Sequence, residues 1–308
     1  MKVHVVVNPR AGSGAAAQKL PQVERALAEA GVSVVVTPTS RPREACQLVA
    51  QARDASADVV VVIGGDGTLN EACQAFLGPH GEPLPGPELG LVSAGTGGDF
   101  RKTFGVGAGV SEAVRRILDG PARPIDLGVA DLVDADGAPI QRAFINILSF
   151  GLGGLTDQIV SQSPKWLGGK ATFFLGAVRA LFAYSNLPVV LRVDGKPCLE
   201  APVVNVAIAN GRFFGGGMKI APEADPSDGR FDVVALYDLT RAQGLGLAYK
   251  IYQGTHPGSP GVRVARGRVV EATPARAGLE VLIDLDGETP GRLPLTTRIL
   301  PGAIRFRI

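Results

Sequence analysis

In the first part of the chain, short runs of branched apolar residues alternate with stretches whose apolar residues recur at helical spacing. Short continuous runs are typical of parallel strands that are buried on both faces. The amphipathic stretches end at turn residues, as at Gly31, and predict helices. Strands alternating with helices indicate a parallel sheet covered on both faces. The pattern predicts strands at 3–7, 32–36, 58–63 and 89–93, and helices at 15–30, 43–53, 68–77 and 111–119.

Beyond Asp126 the pattern changes to strands that follow one another closely, and one helical region of about 155–186 interrupts them. This order favours an antiparallel sandwich or barrel. We therefore predict an α/β fold with an N-terminal open parallel α/β domain, 1–126, and a C-terminal β-rich sandwich domain, 127–308. The segment of about 300–308 is a candidate to return to the first domain. The predicted strands are 128–133, 141–150, 188–194, 203–210, 230–237, 262–270, 279–285 and 303–308.

Composition excludes several classes of protein. Hydrophobic residues make up 45% of the 308 residues and charged residues 19%, so the chain is globular rather than disordered. A net charge of +2 does not favour nucleic acid as a partner. The three cysteines have neither a disulfide pattern nor a zinc spacing. The N-terminus has no export signal, and the apolar stretch 166–184 is too polar to span a bilayer, so we expect a cytoplasmic protein.

Three glycine-rich turns follow strands of the first domain: NPRAGSG (8–14), GGDGT (64–68) and AGTGG (94–98). Open α/β sheets bind ligands at the carboxyl edge of their strands, and glycines let the backbone come close to a phosphate. Asp66 is an unusual neighbour for a phosphate unless a cation lies between them, which favours a magnesium nucleotide over a bare anion. The alternative is that the glycines only turn the chain.

Two familiar nucleotide signatures do not fit the sequence. GSGAAA (12–17) resembles a dinucleotide fingerprint, but the second strand ends without the acidic residue that would hold a ribose. The string nearest to a P-loop, PKWLGGKAT (164–172), lacks the first glycine and has Ala171 after the lysine. The nucleotide site is therefore of another kind.

The second domain contains two acidic turns. APEADPSDGRFDV (221–233) carries Asp225, Asp228 and Asp232, which could form a magnesium site or a plain exposed turn. IDLDGETPG (283–291) carries Asp284, Asp286 and Glu288, which would share one face if the segment were extended. By itself, this second segment is more typical of a hairpin tip.

Together these motifs resemble the diacylglycerol kinase catalytic family, which includes bacterial lipid kinases and sphingosine kinases. The resemblance covers nearly the whole chain. It implies a nucleotide-binding α/β domain, like that of NAD kinases and diacylglycerol kinases, joined to a β-rich domain, with the active site between them. The matching segments are VNPRAGSG (7–14), GGDGTLNE (64–71), GTGGDF (95–100), APEADPSDGRFDV (221–233), DLDGE (284–288) and PLTTRILPGAIRFRI (294–308).

The resemblance also implies roles for individual residues. Asp286 would be the general base, and Asp225, Asp228 and the backbone of Arg230 would bind magnesium. The family usually has asparagine where this chain has Gly98, so an amide near the nucleotide is lost and either nucleotide affinity or local geometry should change. The residues that would line the ATP site are Asn8, Gly12, Thr39, Gly64, Gly65, Asp66, Gly67, Thr68, Glu71 and Thr96.

Three functional hypotheses follow. The first is an ATP-dependent lipid kinase that phosphorylates diacylglycerol or a similar glycerolipid. The second is a kinase of a soluble acceptor, like an NAD kinase, which the late DGE motif argues against. The third is a nucleotide-binding regulator without turnover, for which Gly98 is the main support.

The expected partners are ATP with Mg²⁺, a lipid acceptor and, transiently, the inner face of the membrane. Segment 165–186 could meet that surface through its aromatic and basic residues, although an ordinary helix over the sheet is the simpler interpretation. A homodimer through a strand edge is left open.

Overall fold

The structure is a computed structural model that describes residues 1–95, 97–152 and 186–308. The predicted helical region of about 155–186 and the segment 165–186 lie outside these ranges except for residue 186, and the stretch 166–184 lies wholly outside them. The chain divides into two compact units, Met1–Leu127 with Leu300–Ile308, and Gly128–Ile299. We call them the first and the second unit.

The first unit is built on a parallel sheet. Its strands are β1 (Lys2–Val7), β2 (Ser33–Pro38), β3 (Val59–Gly64) and β4 (Glu88–Ser93). They lie in the order β2-β1-β3-β4, and each neighbouring pair is parallel. The end of a long later strand, Glu288–Arg307, adds to β4 in parallel, with Phe306 opposite Leu89. The four predicted strands of this domain are therefore confirmed.

Five helices accompany this sheet: α1 (Ala15–Glu29), α2 (Glu44–Asp54), α3 (Asp66–Cys73), α4 (Asp99–Thr103) and α5 (Val110–Asp119). α1, α2 and α5 confirm the predicted helices. α3 begins two residues before the predicted start and is followed by a 3₁₀ turn, Gln74–Phe76. The short α4 was not predicted, because five residues are too few to show a helical period.

Both faces of the sheet are covered. Every residue of β3 is buried. Val61 and Ile63 pack in one cluster with Leu27 of α1 and Ile117 of α5. The alternate residues of β3 point to the other side, where α2 contacts β1 and α3 contacts β3. Burying each such aliphatic side chain contributes ~1.5–3 kcal/mol, so the continuous apolar runs follow from burial on both faces.

The second unit contains long antiparallel strands. They are β5 (Ala122–Val133), β6 (Pro139–Phe144), β7 (Ile147–Gly151), β8 (Leu187–Val193), β9 (Lys196–Ala209), β10 (Phe231–Tyr237), β11 (Val262–Gly267), β12 (Val269–Pro274), β13 (Leu282–Leu285) and β14 (Glu288–Arg307). β9 pairs with β8 over its first part and with β7 and β10 over its second part. β14 pairs first with β13 and then with β12. The predicted strand 141–150 is two strands, β6 and β7, and the predicted strand 262–270 is also two, β11 and β12.

Alternating residues of these strands fill two cores. Phe144 and Phe231 stack in the larger core with ring centroids 5.5 Å apart. Residues that face the other side of these strands, such as Val234 of β10, form the smaller core. They pack with Leu247 of α6 (Arg241–Gln253), a helix that the sequence pattern did not predict. Two glycines within α6 weaken its helical signal. The predicted β-rich second domain is thus observed.

Candidate functional site

Asn8 and Thr68 join two strand ends at the carboxyl edge of the first unit. The order of the parallel sheet reverses between β1 and β3, which is the position where open α/β sheets bind ligands. Asn8 follows β1, and its Nδ2 donates to Oγ1 of Thr68, 3.1 Å away. The Asn8 backbone N–H donates to the carbonyl of Ile63, 3.0 Å away. The structure therefore brings these two predicted site residues together.

Several glycines of the predicted turns leave no room for a side chain. Gly12 has φ 60°, and a Cβ there would lie 1.8 Å from the carbonyl oxygen of Ala94. A Cβ on Gly95 would lie 2.6 Å from the Cα of Gly65. A Cβ on Gly64 would lie 2.6 Å from the Thr68 side chain. The three turns thus pack against one another, and this close approach alone explains these glycines.

Gly67 is different, because a Cβ there would meet no atom of the described residues within 4 Å. It lies in the first turn of α3. The N-cap residue of this helix is Gly65, so no side chain caps the first N–H groups. The N-terminus of a helix carries partial positive charge and free N–H groups. The open space beside Gly67 therefore fits an anionic group such as a phosphate.

The carboxylate of Asp66 connects two of the turns. Its Oδ2 accepts a hydrogen bond from the N–H of Asp99, 2.9 Å away, and its Oδ1 from the N–H of Phe100, 3.4 Å away. Burial raises the pKa of Asp66, and the nearby charge of Asp99 raises it further, while these N–H groups lower it. Asp66 thus fixes the start of α4 against the GGDGT turn. Its role beside magnesium stays a prediction.

The remaining predicted nucleotide residues lie at the same edge of the first unit or outside the described ranges. The N–H of Thr39, just after β2, donates to the carbonyl of Val7, 2.8 Å away. Oε2 of Glu71 accepts a hydrogen bond from the N–H of Ala45 in α2, 3.4 Å away. Thr96 lies outside the described residues. Glu71 therefore also links α3 to α2.

Arg101 occupies the space beside Gly98. Gly98 has φ 59°, and a Cβ there would lie 2.7 Å from Nε of Arg101. Nη1 of Arg101 donates to the carbonyl of Val106, 2.8 Å away, which holds the side chain in place. Burial lowers the pKa of Lys19, and the charge of Arg101 lowers it further. A guanidinium therefore lies where the side chain of a family asparagine would begin, a contact that the sequence did not indicate.

In the second unit, Asp286 lies at a hairpin tip. Asp286 and Gly287 form a two-residue turn between β13 and β14 with positive φ at both positions, 51° and 90°. The hairpin tip that is typical of this segment is therefore observed, and Asp284, Asp286 and Glu288 do not share one face of an extended segment. Asp284 lies in β13 and accepts hydrogen bonds from Oγ of Ser149, 3.3 Å away, and from the Gly287 N–H, 2.8 Å away.

Three consecutive backbone N–H groups hold the carboxylate of Asp286. Oδ2 accepts from Ile145, 2.9 Å away, Oδ1 accepts from Ile147, 2.8 Å away, and Asn146 contributes at 3.2 Å from Oδ1. These three hydrogen bonds fix the orientation of the carboxylate. The sequence reasoning missed this loop, although a polar Asn146 within an apolar run was a signal that the strand is interrupted there.

The acidic loop of the second unit was the predicted magnesium site. Oδ1 of Asp228 accepts from the Arg230 N–H, 3.0 Å away, and its Oδ2 pairs with the guanidinium of Arg266. Arg266 also pairs with Asp232, 3.2 Å away, whose pKa is raised by burial.

Oδ1 of Asp225 accepts from the Ser227 N–H, 3.0 Å away. The described residues contain no cluster of three or more His, Cys, Asp or Glu side chains that could hold a metal ion. In this arrangement the guanidinium of Arg266 lies against Asp228 and Asp232 and neutralises them. The magnesium role of Asp225, Asp228 and Arg230 stays a prediction.

Comparisons with known proteins decide the family. The diacylglycerol kinase catalytic domain matches residues 2–130, and the YegS C-terminal NAD kinase beta sandwich-like domain matches residues 146–307. A diacylglycerol kinase from Mycobacterium tuberculosis (strain ATCC 25618 / H37Rv) is 30% identical over 305 residues, which cover 99% of this chain and 94% of the relative. The chain belongs to the diacylglycerol kinase family.

Two further proteins extend the comparison of this diacylglycerol kinase family member. A protein named probable lipid kinase YegS-like from Stenotrophomonas maltophilia (strain K279a) is 30% identical over 283 residues, 90% of this chain and 87% of the relative. The crystal structure of a diacylglycerol kinase from Bacillus anthracis has a TM-score of 0.73 at 22% identity and covers 99% of this chain and 96% of that chain. The predicted family and fold class are therefore confirmed.

As a member of the diacylglycerol kinase family, the chain is a lipid kinase by class, and so a transferase. The catalytic-domain match contains the glycine-rich turns of the first unit, and the sandwich-like match contains Asp286. Within residues 1–95, 97–152 and 186–308, no helix has both the length and the apolar character needed to cross a bilayer.

Proposed function

We propose that this chain transfers the γ-phosphate of ATP to the hydroxyl of diacylglycerol or a similar glycerolipid. Family membership over both units supports a lipid kinase. The observation that carries the proposal is the carboxylate of Asp286, fixed by three backbone N–H groups in a chain of that family. These hydrogen bonds hold the carboxylate in one orientation, which suits a group that accepts the proton of a substrate hydroxyl.

In this proposal the first unit binds the nucleotide. The start of α3 and the open space at Gly67 receive phosphate oxygens, and the Asn8–Thr68 hydrogen bond keeps the ends of β1 and β3 together. ATP enters as its magnesium complex, in which the metal neutralises phosphate charge. Asp66, Thr39, Glu71 and the other glycines of the turns shape the edge on which the nucleotide lies.

Asp286 then acts on the acceptor. The lipid hydroxyl oxygen forms a bond to the γ-phosphorus, the bond from that phosphorus to the β–γ bridging oxygen breaks, and ADP leaves. The hydroxyl proton passes to the Asp286 carboxylate. Because the acceptor resides in a bilayer, we propose that the protein works transiently at the inner face of the membrane.

Replacing Asp286 by asparagine tests the role of the base. We expect Asp286→Asn to lower turnover by ~10²-fold or more, while ATP still binds, because general-base catalysis is typically worth ~10²–10⁴-fold. Turnover is measured by phosphate transfer and ATP binding by calorimetry. The NH₂ group of the new asparagine would face a backbone N–H donor, which should lower stability. The melting temperature of the variant is therefore measured as well.

Asp194→Asn is the matched control for this experiment. Asp194 also precedes a glycine in a two-residue hairpin turn, with φ 49°, and also accepts from two backbone N–H groups. We expect its turnover to equal that of the wild type. Near-normal turnover in Asp286→Asn would remove Asp286 from the mechanism.

A product assay tests the substrate class. The purified protein is incubated with labelled ATP and either a total lipid extract or NAD, and the labelled product is identified by mass. We expect a phosphorylated glycerolipid and no NADP. Labelled NADP would instead make the chain a kinase of a soluble acceptor, and ATP binding without any product across lipid pools would make it a regulator.

A further inference from the structure

Helix α6 of the second unit lies on the surface with one face anchored. Its buried residues, Leu247 and Ile251, pack in the smaller core with residues such as Val234. A capping box fixes its start: Oγ1 of Thr240 accepts from the Gln243 N–H, 3.3 Å away, and the Thr240 N–H donates to the Gln243 side chain, 2.9 Å away. The helix is therefore anchored by its buried face, and its first turn is stabilised by the capping box.

The opposite face of α6 carries an exposed apolar stripe. Leu245 is 49% exposed, Tyr249 72% and Tyr252 47%. At about 100° per residue these positions fall on one narrow face, because they are spaced by four and three residues. Across the described ranges, half of the large hydrophobic side chains that remain exposed lie on this one face. Such a concentration marks an interaction surface rather than scattered exposure.

The charges of α6 are all positive. Arg241 lies four residues before Leu245, on the same face. Lys250 follows Tyr249 on the flank of the helix, about 100° around its axis, and its Nζ donates to Oγ of Ser259, 3.2 Å away. The sequence 241–253 contains no aspartate or glutamate. The exposed side of α6 thus combines aliphatic and tyrosine side chains with cations. This combination complements a surface that has anionic groups on the outside and an apolar layer beneath them.

We propose that α6 docks this protein on an anionic lipid bilayer, with Leu245, Tyr249 and Tyr252 in the headgroup region and Arg241 and Lys250 against anionic lipids. A lipid surface fits better than a groove-binding protein, since the stripe is the convex face of a helix with amphipathic tyrosines at its centre. The proposal agrees with the proposed lipid acceptor, but the binding it describes does not require catalysis.

Vesicle flotation tests the apolar part of the proposal. The full chain, without ATP or acceptor, is mixed with vesicles of phosphatidylcholine alone or of equal parts phosphatidylcholine and phosphatidylglycerol. We expect binding to the anionic vesicles, and about tenfold or greater weakening in the double variant Leu245→Ser with Tyr249→Ser. The matched control is Val35→Ser, since Val35 is a similarly exposed side chain of the first unit, at 47%, and should bind like the wild type.

A second pair of variants tests the electrostatic part. Arg241→Gln and Lys250→Gln should each weaken binding to the anionic vesicles by about fivefold, because a basic residue near such a surface is typically worth ~1 kcal/mol. Binding to pure phosphatidylcholine should not change. A loss that is equal on both kinds of vesicle would contradict the assigned role of these cations.

Several results would overturn the proposal. Wild-type protein that floats with neither kind of vesicle would do so, as would a Leu245→Ser, Tyr249→Ser variant that binds as tightly as wild type. A change in oligomeric state of that variant, measured by light scattering without lipid, would assign the stripe to a second copy of the chain instead. Vesicle binding is read without turnover, so failure of the kinase assay would leave this result standing.

Discussion

At the scale of single residues, Gly98 and Arg101 depend on each other. Gly98 holds a left-handed conformation with φ 59°, which glycine and asparagine adopt most readily. Backbone conformation alone would therefore permit asparagine here. The space is what opposes it, because Nε of Arg101 lies 2.7 Å from the position of a Cβ and the Arg101 side chain would have to shift. The sequence revealed the departure from the family at Gly98 but not its companion three residues later.

This dependence predicts a compensating pair of substitutions. Gly98→Asn should lower the free energy of unfolding by ~1–2 kcal/mol, because its side chain displaces Arg101. Adding Arg101→Ala should recover part of that loss, giving a coupling energy of ~0.5 kcal/mol or more in a double-mutant cycle. Urea denaturation measures both.

Gly105→Asn serves as the control for this pair. Gly105 has φ 67°, and a Cβ there would meet no described atom within 4 Å, so the cost should be small. If Gly98→Asn and Arg101→Ala are simply additive, the two residues do not share the space in the way that the structure indicates.

The sequence singled out Asp286 but not the contacts of its carboxylate. Resemblance to the family singled out the residue, and aspartate before glycine is a common turn pair. The three N–H groups that hold its carboxylate come from a segment about 140 residues earlier in the chain. No local pattern could have indicated that contact.

At the scale of elements, two hairpins of the second unit end in an aspartate–glycine turn whose carboxylate binds distant backbone. In the β8–β9 hairpin, Oδ1 of Asp194 accepts from the N–H groups of Arg268 and Val269, 2.8 and 2.9 Å away. The turn is thereby fixed to the start of β12. The N–H of Val269, foremost, and that of Arg268 lower the pKa of Asp194.

This lowered pKa predicts how stability changes in acid. The contribution of Asp194 is present above the ordinary carboxyl value of 3.8 and is lost as the pH falls below it toward the folded-state pKa. Asp194→Asn should therefore lower stability at neutral pH by roughly 1 kcal/mol or less, since the turn is exposed, and this difference should shrink in acid. Urea denaturation from about pH 7 to about pH 2, in steps of about one unit, measures it. A difference that grows in acid would contradict the assignment.

At the scale of the whole molecule, the first unit is completed by the last residues of the chain. The end of β14 pairs with β4, and Phe306, 4% exposed, packs against Phe100 with ring centroids 5.3 Å apart. Nη1 of Arg307 donates to the carbonyl of Ile117 in α5, 2.8 Å away. The first unit therefore depends on residues that the chain supplies only at its end.

Truncating Phe306 tests this dependence. Phe306→Ala should lower the free energy of unfolding of the first unit by ~3–5 kcal/mol, as is typical for a buried phenylalanine. Hydrogen exchange should rise in peptides that contain β4. Arg305→Ala, on the exposed side of the same segment, removes a surface ion pair with Glu88 and a long hydrogen bond to the carbonyl of Ala122, 3.4 Å away, and should cost less than about 1 kcal/mol. Unchanged exchange in β4 for Phe306→Ala would show that the strand end is not part of that core.

The sequence by itself determined the layout of this protein. Continuous apolar runs and glycine turns depend on neighbours along the chain, so they could predict the parallel strands and the glycine-rich turns at their carboxyl edge, whereas Asn8 and Asp286 were singled out by the resemblance to the family. Tertiary structure decided the rest: the backbone cradle of Asp286, Arg101 beside Gly98, Arg266 against the acidic loop, the β14–β4 pairing and the exposed face of α6. Each of these depends on which residues meet in space or remain uncovered, and that is set by packing after the chain has folded, not by the local pattern of residues.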